Sequence, residues 1–354
     1  MNKIHNFCAG PSILPEEVFQ QASEAVKDLN NSGLSLLEIS HRSKAFDEIM
    51  DEAISLSLEL LNLKKESYTP LFLQGGASLQ FLMTAYNFLK NEAAFLNTGT
   101  WSKKAIKEAK LFGKVDVLGT SENENFNHIP EYEILKTYDY FHCTSNNTIF
   151  GTQINFFPES ETPIFCDMSS DIFSRVLDFS KFDLIYAGAQ KNLGPAGATL
   201  VIIKNDLLDL INENVPSMLN YGIYADKKSM FNTPPVFSIY VSMLNMRWLK
   251  NMGGIQAIEQ NNMKKAAILY SEIDINPLFK GHAHEKDRSM MNATFNLLEN
   301  SLKDKFESML SDANITALSG HRSVGGYRAS MYNAMSLDSV KVLVDVMSEL
   351  ESKI

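Results

Sequence analysis

The sequence contains little that would cross-link, anchor or export the chain. It has three cysteines among 354 residues, Cys8, Cys143 and Cys166, which are too few for a disulfide framework and match no zinc-ligand spacing. No apolar run approaches the ~20 residues needed to span a membrane. The first residues, MNKIHNFCAGPSILPEE, also lack the uninterrupted apolar core of a signal peptide. We therefore expect a cytoplasmic protein with no membrane partner.

Positive charge is also scarce. The chain has 32 lysines and arginines against 42 aspartates and glutamates, for a net charge of −10, which argues against a general surface for nucleic acid or anionic lipid. This balance still allows a local basic pocket for a small anion. The hydrophobic fraction of 45% and the charged fraction of 21% are those of an ordinary globular protein, and the length predicts two domains.

The familiar nucleotide and metal motifs are missing or incomplete. The segment 188–194 has the glycine spacing of a Walker loop, but Pro195 stands where Lys followed by Ser or Thr is required. No G-x-G-x-x-G follows an apolar run, so a dinucleotide cofactor is not predicted. His282 and His284 could form a pair of metal ligands, but we interpret them as a surface pair and predict no metal.

Short apolar runs alternate with helical periodicity through the first two-thirds of the chain. Strand character is found in TPLFLQ, AAFLN, VDVL, YDYFHC, PIFCD, DLIYA and TLVII, and helical periodicity in LQFLMTAYNFL and SKKAIKEAKLF. This alternation predicts an α/β domain with a mostly parallel sheet. From about Pro234 the pattern becomes α+β. We expect a large domain over 16–251, a small C-terminal domain over 252–354, and an N-terminal segment, 1–15, that packs near the small domain.

Candidate ligand-binding residues directly follow the predicted strands. Ligands in parallel α/β sheets bind beyond the carboxyl ends of the strands, and there we find the turn 75–78, Trp101, Thr148, Asp167 and Lys191. Lys191 is unusual because small apolar residues surround it, whereas a lysine that faces water normally has polar neighbours. Its amine is therefore expected in a sheltered place.

These residue types together suit pyridoxal phosphate. That cofactor needs a lysine for its Schiff base and a carboxylate to keep its pyridine nitrogen protonated, which are roles open to Lys191 and Asp167. Trp101 could stack on its ring, and the amides of residues 76–78 could bind its phosphate. Each residue also has an ordinary interpretation, as a turn lysine in water, a capping aspartate, a core tryptophan or a glycine turn. The residues alone leave both interpretations open.

A set of motifs resembles the class V pyridoxal-phosphate-dependent aminotransferases. The resemblance runs from NFCAGPSILP almost to the C-terminus and includes HRSKAF, QGGASLQF, WSKKAIKEAK, DMSSDIFSR, YAGAQKNLGPAG, SMFNTPPVFSIY and GHRSVGGYRASMYNAM. The last three motifs are typical of the members that act on 3-phosphohydroxypyruvate. The resemblance implies the pyridoxal-phosphate fold type I, an aspartate-aminotransferase-like α/β fold with a smaller α+β C-terminal domain.

The resemblance also implies residue roles. Lys191 would form the Schiff base, Asp167 would pair with the pyridine nitrogen, and Trp101 would stack on the ring. The phosphate and hydroxyl edge of the cofactor would be held by Ala77, Ser78, Thr148 and Gln190, and the phosphate in the neighbouring subunit by Asn232 and Thr233. Substrate would be bound by Arg328 at its α-carboxylate, and around its phosphate by His41, Arg42, His321 and Arg322.

The implied reaction is amino transfer between L-glutamate and 3-phosphohydroxypyruvate, which gives O-phospho-L-serine and 2-oxoglutarate in L-serine biosynthesis. The implied enzyme is a homodimer with active sites shared across the interface, and some relatives also act in vitamin B6 synthesis. Two alternatives remain open. One is another class V activity, such as a glyoxylate aminotransferase or a cysteine desulfurase, although the cysteines lie in or beside apparent core elements. The other is a non-catalytic binding protein, against which the intact pair Lys191 and Asp167 argues.

Two positions depart from the family pattern. Ser78 stands where some members have an arginine, so Arg42 and Arg322 would contribute more of the phosphate recognition. Cys8 stands where members more often have a small polar residue. We expect it to be a small buried thiol without a catalytic role.

Overall fold

The computed structural model describes residues 3–354 of the chain. Its helices are α1 (Glu16–Lys27), α2 (Lys44–Leu60), α3 (Gly76–Phe88), α4 (Thr100–Ala109), α5 (Asn205–Leu208), α6 (Tyr221–Asp226), α7 (Val236–Asn251), α8 (Gly254–Ile275), α9 (Lys303–Asp312) and α10 (Leu337–Ser352). Its strands are β1 (His5–Asn6), β2 (Tyr68–Leu73), β3 (Glu92–Asn97), β4 (Lys114–Thr120), β5 (Phe141–Thr144), β6 (Asn146–Asn147), β7 (Thr152–Gln153), β8 (Ile164–Asp167), β9 (Leu184–Gly188), β10 (Thr199–Lys204), β11 (Phe279–Gly281), β12 (Asn292–Leu297), β13 (Ile315–Thr316) and β14 (Tyr327–Ser330).

A seven-stranded sheet forms the centre of the larger part of the molecule. Its strand order is β2-β10-β9-β8-β5-β3-β4. Strand β10 runs antiparallel to both of its neighbours, whereas the pairs from β9 to β4 are parallel. The predicted mostly parallel sheet is therefore confirmed. Strands β2, β3, β5, β8 and β9 point the same way, so their carboxyl ends share one edge of the sheet.

Helices cover both faces of this sheet. One face packs against α1, α2 and α7, and the other against α3, α4 and α6. Alternate residues of a strand serve the two faces, so that Ile185 of β9 belongs to the first core and Tyr186 to the second. Burial on both faces explains why the strands have continuous apolar sequences.

Local signals set the limits of several helices. Helix α1 begins directly after Pro15, and α2 begins after Ser43, whose hydroxyl accepts a hydrogen bond from the Phe46 amide at 3.4 Å. The chain breaks between α7 and α8 at Gly253, whose φ of 99° is in the left-handed region that glycine tolerates. This break separates α7, which packs on the central sheet, from α8 of the C-terminal part.

A second sheet, ordered β11-β12-β14, packs against α8, α9 and α10 around its own apolar core. Strand β1 pairs in parallel with β13, which brings the N-terminal segment to this part of the chain. The two sheets have separate cores, and we propose the boundary between residues 251 and 252 on that basis. None of the helices within residues 3–354 has the length and apolarity to cross a membrane.

Candidate active site

Residues that the sequence singled out meet at the carboxyl edge of the central sheet. Gly75 follows β2, Trp101 follows β3, Thr148 follows β5, Asp167 ends β8 and Lys191 follows β9. The expectation that they project from one sheet edge is confirmed. Their chemical roles remain predictions.

Lys191 lies in a tight loop between β9 and β10. Its Nζ donates a hydrogen bond to Thr148 Oγ1 at 2.7 Å, and the Ser12 hydroxyl donates one to its carbonyl. A Cβ added to Gly10 would lie 3.3 Å from Lys191 Cγ, so the N-terminal loop rests directly on the lysine. Sequence periodicity gave no signal for this contact. The lysine is partly buried and its amine is engaged, unlike a turn lysine in water.

The surroundings of Lys191 alter the charge of its amine. Its pKa is lowered to about 8, chiefly because burial disfavours the charged form, with a further lowering from Arg328 and an opposing effect of Asp167. An ordinary exposed lysine has a pKa of about 10.4. A larger fraction of Lys191 is therefore neutral, and thus nucleophilic, near neutral pH.

This shift predicts how the cofactor-free protein reacts with an amine-directed reagent. The rate of labelling at Lys191 should rise with pH and level off above a midpoint near 8, because only the neutral amine reacts. Mass spectrometry of the labelled peptide gives the rate at each pH. A midpoint equal to that of the exposed lysines in the same sample would contradict the assigned environment.

Asp167 is buried at the end of β8 and is only 4% exposed. Its Oδ1 accepts hydrogen bonds from the Ser169 amide at 2.9 Å and from the Ser169 hydroxyl at 2.6 Å. Burial raises the pKa of Asp167, while Lys191 and the bonds from Ser169 oppose that rise. Sequence reasoning did not single out Ser169, although a serine two residues after an aspartate, as in DMSSD, is a signal for such a local turn. Ser169 is a positioning residue for the carboxylate.

Trp101 lies at the start of α4 with its ring beside the lysine. Lys191 Nζ is 5.2 Å from the ring centroid, and Lys104 Nζ is 4.5 Å from it. The ring also packs against an apolar cluster that contains Phe126 and Phe150. The indole Nε1 is buried and has no hydrogen-bond partner among the residues that the structure describes. Packing thus holds the tryptophan at the rim of the site, and its indole N–H is available to donate a hydrogen bond.

The N-terminus of α3 closes another side of the site. Gly75 precedes the helix with a φ of 93° and supplies no side-chain cap, so the first amides of the helix have no side-chain acceptor. A Cβ on Gly188 would lie 2.9 Å from Gln190 Oε1 and 3.5 Å from Ala77 N, so the end of β9 lies directly against Gln190 and the first turn of the helix. These amides and the helix dipole suit a phosphate. With the amine, the carboxylate and the indole ring, they fit pyridoxal phosphate.

Basic groups from β14, from the loop that precedes it and from α4 lie close to one another beside Lys191. Arg328 in β14 lies near enough to Lys191 to lower the pKa of its amine, and its Nε is buried without a partner within residues 3–354. Burial lowers the pKa of His321, and the neighbouring charges of Arg328, Arg322 and Lys104 lower it further. A local basic cluster of Arg328, Arg322 and Lys104 is therefore present although the net charge of the chain is −10. Such a cluster attracts an anionic ligand.

The remaining predicted residues are placed differently. No hydrogen bond, ion pair or cation–π contact within residues 3–354 joins Lys191 to His41, Arg42, Asn232 or Thr233. The Thr233 carbonyl accepts a hydrogen bond from the Gln74 side chain at 2.8 Å, so its segment runs alongside the turn that precedes α3.

The expectation of a buried Cys8 is wrong, because Cys8 is partly exposed. Its neighbour Phe7 is the residue that enters the small-domain core, with 0% exposure. Adjacent residues of an extended segment point to opposite sides, which turns Cys8 away from that core. Cys143 and Cys166 are buried, as expected. Ser78 is exposed on the first turn of α3.

Comparisons with known proteins agree with this geometry. The family model described as Aminotransferase class-V matches residues 4–343. The phosphoserine aminotransferase of Flavobacterium psychrophilum is 62% identical over 99% of this chain and 100% of its own length. The solved phosphoserine aminotransferase from Bacillus circulans subsp. alkalophilus is 40% identical with a TM-score of 0.96, covering 100% of this chain and 99% of that one.

A third comparison concerns a structure with cofactor. The phosphoserine aminotransferase from Trichomonas vaginalis, solved with bound pyridoxal phosphate, is 34% identical with a TM-score of 0.93 over 98% of this chain and 100% of that one. The predicted fold type I is confirmed by these likenesses. Together with the full-length match to the family model, they show that the chain belongs to the class V aminotransferases.

Proposed function

We propose that the chain is a phosphoserine aminotransferase, which exchanges an amino group between L-glutamate and 3-phosphohydroxypyruvate and yields O-phospho-L-serine and 2-oxoglutarate in L-serine biosynthesis. The observation that carries the proposal is the placement of Lys191 and Asp167 at the carboxyl ends of the neighbouring strands β9 and β8, with the Lys191 amine 2.7 Å from Thr148 Oγ1 and 5.2 Å from the Trp101 ring centroid. The lysine and the carboxylate suit amino-transfer chemistry. The arginine, with the neighbouring basic residues, suits a substrate that carries both a carboxylate and a phosphate. Relatives of this activity that match the whole chain support the same conclusion.

The cofactor in this proposal is pyridoxal 5′-phosphate, which the Trichomonas vaginalis relative binds. Lys191 would hold it covalently, Asp167 would face its pyridine nitrogen, and Trp101 would cover its ring. Its phosphate and hydroxyl edge would be held by Ala77, Ser78, Thr148 and Gln190. When bound, it supplies an electron sink that stabilises negative charge at the substrate Cα.

The chain's own side chains then have defined tasks. The Lys191 amine, whose pKa is lowered to about 8, takes the proton from the Cα of the bound amino acid as a general base. The Thr148 hydroxyl, 2.7 Å from that amine, orients it. Arg328 binds the α-carboxylate that both substrates share, and the segment 321–322 binds the substrate phosphate through charge-assisted hydrogen bonds.

A coupled assay tests the proposed function. Purified protein with pyridoxal phosphate and L-glutamate is offered either 3-phosphohydroxypyruvate or unphosphorylated hydroxypyruvate, and formation of 2-oxoglutarate is followed. We expect turnover with a kcat/KM that is much higher for the phosphorylated keto acid. Equal use of both keto acids would favour another class V activity, and no turnover of either would favour a non-catalytic protein.

The phosphate contacts make a sharper prediction for the arginines. Arg322→Ala and Arg42→Ala should each lower kcat/KM for the phosphorylated substrate by about 30-fold to several thousandfold, because loss of one partner of a charged hydrogen-bonded pair costs about 2–5 kcal/mol. Unphosphorylated hydroxypyruvate should be affected only a few-fold. Arg247→Ala is the matched control, because Arg247 pairs with Glu52 at 2.7 Å on the helical surface. Equal losses for both substrates would point to a structural role for the arginine.

We also propose a homodimer in which each active site uses residues of both chains. Asn232 and Thr233 precede two prolines that lead into α7, and within residues 3–354 no hydrogen bond joins their side chains to Lys191. The Gln74 side chain donates to the Thr233 carbonyl, so this segment runs beside the turn that precedes α3. The resemblance to the class V aminotransferases supports its contact with the cofactor phosphate of a two-fold partner.

Mixing two inactive variants tests this arrangement. A Lys191→Ala chain and an Asn232→Ala/Thr233→Ala chain should each be impaired as homodimers. After subunit exchange, the heterodimer should contain one site with both defects and one intact site, so activity should return. Absence of recovery despite exchange shown by native mass spectrometry would place both sets of residues in one chain's site.

Further details of the proposal follow from the same contacts and charges. The net charge of −10 supports small-molecule substrates over nucleic acid, and we place the enzyme in the cytoplasm. The α-carboxylate and phosphate contacts would also accommodate the phosphorylated substrate that leads to 4-phosphohydroxy-L-threonine in pyridoxine biosynthesis. The desulfurase alternative loses two of its three candidate thiols because Cys143 and Cys166 are buried in the central sheet, whereas Cys8 is partly exposed.

A further inference from the structure

Two segments that are distant in sequence bring a glutamate and two histidines together near the rim of the active site. Glu124, His128 and His284 each offer one ligand atom, and these atoms all lie within 4.8 Å of one another. His128 Nδ1 lies 3.8 Å from Glu124 Oε2. The rings of His128 and His284 stack with a centroid distance of 5.2 Å and an interplanar angle of 15°. None of the catalytic or substrate-binding roles uses these side chains.

The two segments are held together by bonds that do not involve these three side chains. The His284 amide donates to the Asn127 carbonyl at 2.8 Å, and the Ile129 amide donates to Asp287 Oδ2 at 3.0 Å. Formation of the cluster therefore does not depend on a ligand. A site that is preorganised in this way loses less entropy when it binds.

The donor atoms match the preferences of one kind of ion. Two imidazole nitrogens and one carboxylate oxygen, with water in the fourth position, form a common Zn²⁺ environment. Zinc–ligand bonds of about 2.0–2.2 Å separate the ligand atoms of a tetrahedral site by about 3.3 Å. Glu124 and His284 are exposed, so they have room to rotate inward, and one imidazole must leave the stack to do so.

We propose that Glu124, His128 and His284 form a binding site for one Zn²⁺ ion. The ion would join the loop that follows β4 to the segment that follows β11, and thus link elements of the two sheets. Phe126 in the first loop packs in the apolar cluster that also contacts Trp101. Zinc binding would therefore stiffen the wall behind the tryptophan. The proposal is independent of the substrate of the enzyme.

Metal titration of the cofactor-loaded protein tests the site. After treatment with a chelator and its removal, isothermal titration with Zn²⁺ should show one site per chain, and Co²⁺ should give the visible absorption of a four-coordinate complex that Zn²⁺ abolishes. Replacement of a residue that only hydrogen-bonds to a metal ligand costs about 10–100-fold in metal affinity, and loss of a ligand itself should cost more. We therefore expect His128→Ala and His284→Ala each to lose at least about 100-fold.

Two further variants separate this site from general binding to histidines. His5→Ala is the matched control, because its ring bonds to Ser339 in the small domain, and its zinc affinity should equal that of the wild type. Glu124→Gln keeps the shape but removes the charge and should weaken binding without a change in melting temperature of the metal-free protein. Wild-type zinc affinity in both histidine variants, or an equal loss in His5→Ala, would overturn the proposal.

Discussion

Lys191→Ala should reduce amino transfer by at least about 10³-fold, because a general base alone contributes about 10²–10⁴-fold and the variant also loses the covalent link to the cofactor. Lys191→Arg should fail as well, since guanidinium stays protonated and cannot act as nucleophile or base. The measurement is kcat with L-glutamate and 3-phosphohydroxypyruvate under saturating pyridoxal phosphate. Turnover near that of the wild type would end the assignment of Lys191.

Lys191→Ala should affect the stability of the cofactor-free protein differently from its activity. Burial lowers the pKa of Lys191 to about 8, which means that the folded state binds this proton less tightly than the unfolded state does. The charged lysine therefore costs stability below that pKa, and the cost is relieved as pH rises from about 8 to the unfolded-state pKa of about 10.4. The cofactor-free Lys191→Ala protein should be at least as stable as the wild type at neutral pH. A lower melting temperature would indicate that the lysine has a structural role.

Asp167→Asn should lower turnover by orders of magnitude with little change in shape. An amide cannot supply the negative charge that keeps the pyridine nitrogen protonated, so the electron sink is weakened. Cofactor affinity should fall by less than turnover. An unchanged rate would mean that the carboxylate is only structural.

Asp171 provides the matched contrast. Both aspartates are buried, but Asp171 pairs with Arg175 at 3.0 Å and accepts a bond from Gln153 at 3.1 Å. Asp171→Asn should therefore mainly lose stability, by up to about 3–5 kcal/mol if the buried pair is broken.

Burial raises the pKa of Asp167, so its charge is destabilising above that pKa, and Asp167→Asn should be neutral or stabilising in the cofactor-free protein. Chemical denaturation of the two variants measures the difference.

The sequence allowed the sheet and the centre of the site to be predicted because both depend on local patterns. Apolar runs followed by glycines or polar residues mark where parallel strands end, and parallel strands end at a common edge. Lys191 and Asp167 were found in this way. Ser169 was missed, although its bond to Asp167 spans only two residues.

Contacts between distant segments could not be predicted in the same way. The Ser12 hydroxyl bonds to the carbonyl of Lys191, which is 179 residues away in the sequence. The sequence pattern of neither segment predicts this bond. The cluster of Glu124, His128 and His284 could not be predicted for the same reason, because only the fold brings the loop after β4 and the segment after β11 together. The expectation for Cys8 failed because an extended segment buries one of two adjacent residues, and the pattern did not show that Phe7 was the buried one.

The central claim is that Lys191 holds the cofactor, and peptide mapping after borohydride reduction tests it most directly. Borohydride turns a carbon–nitrogen double bond between lysine and cofactor into a stable amine that mass spectrometry locates. A second lysine is a genuine competitor, because burial lowers the pKa of Lys265 to about 7, although its amine donates to the carbonyls of Met331 and Tyr332. The account predicts the added mass on the peptide that contains Lys191, with none on Lys265. Attachment at Lys265, or no attachment to a protein that binds the cofactor, would contradict it.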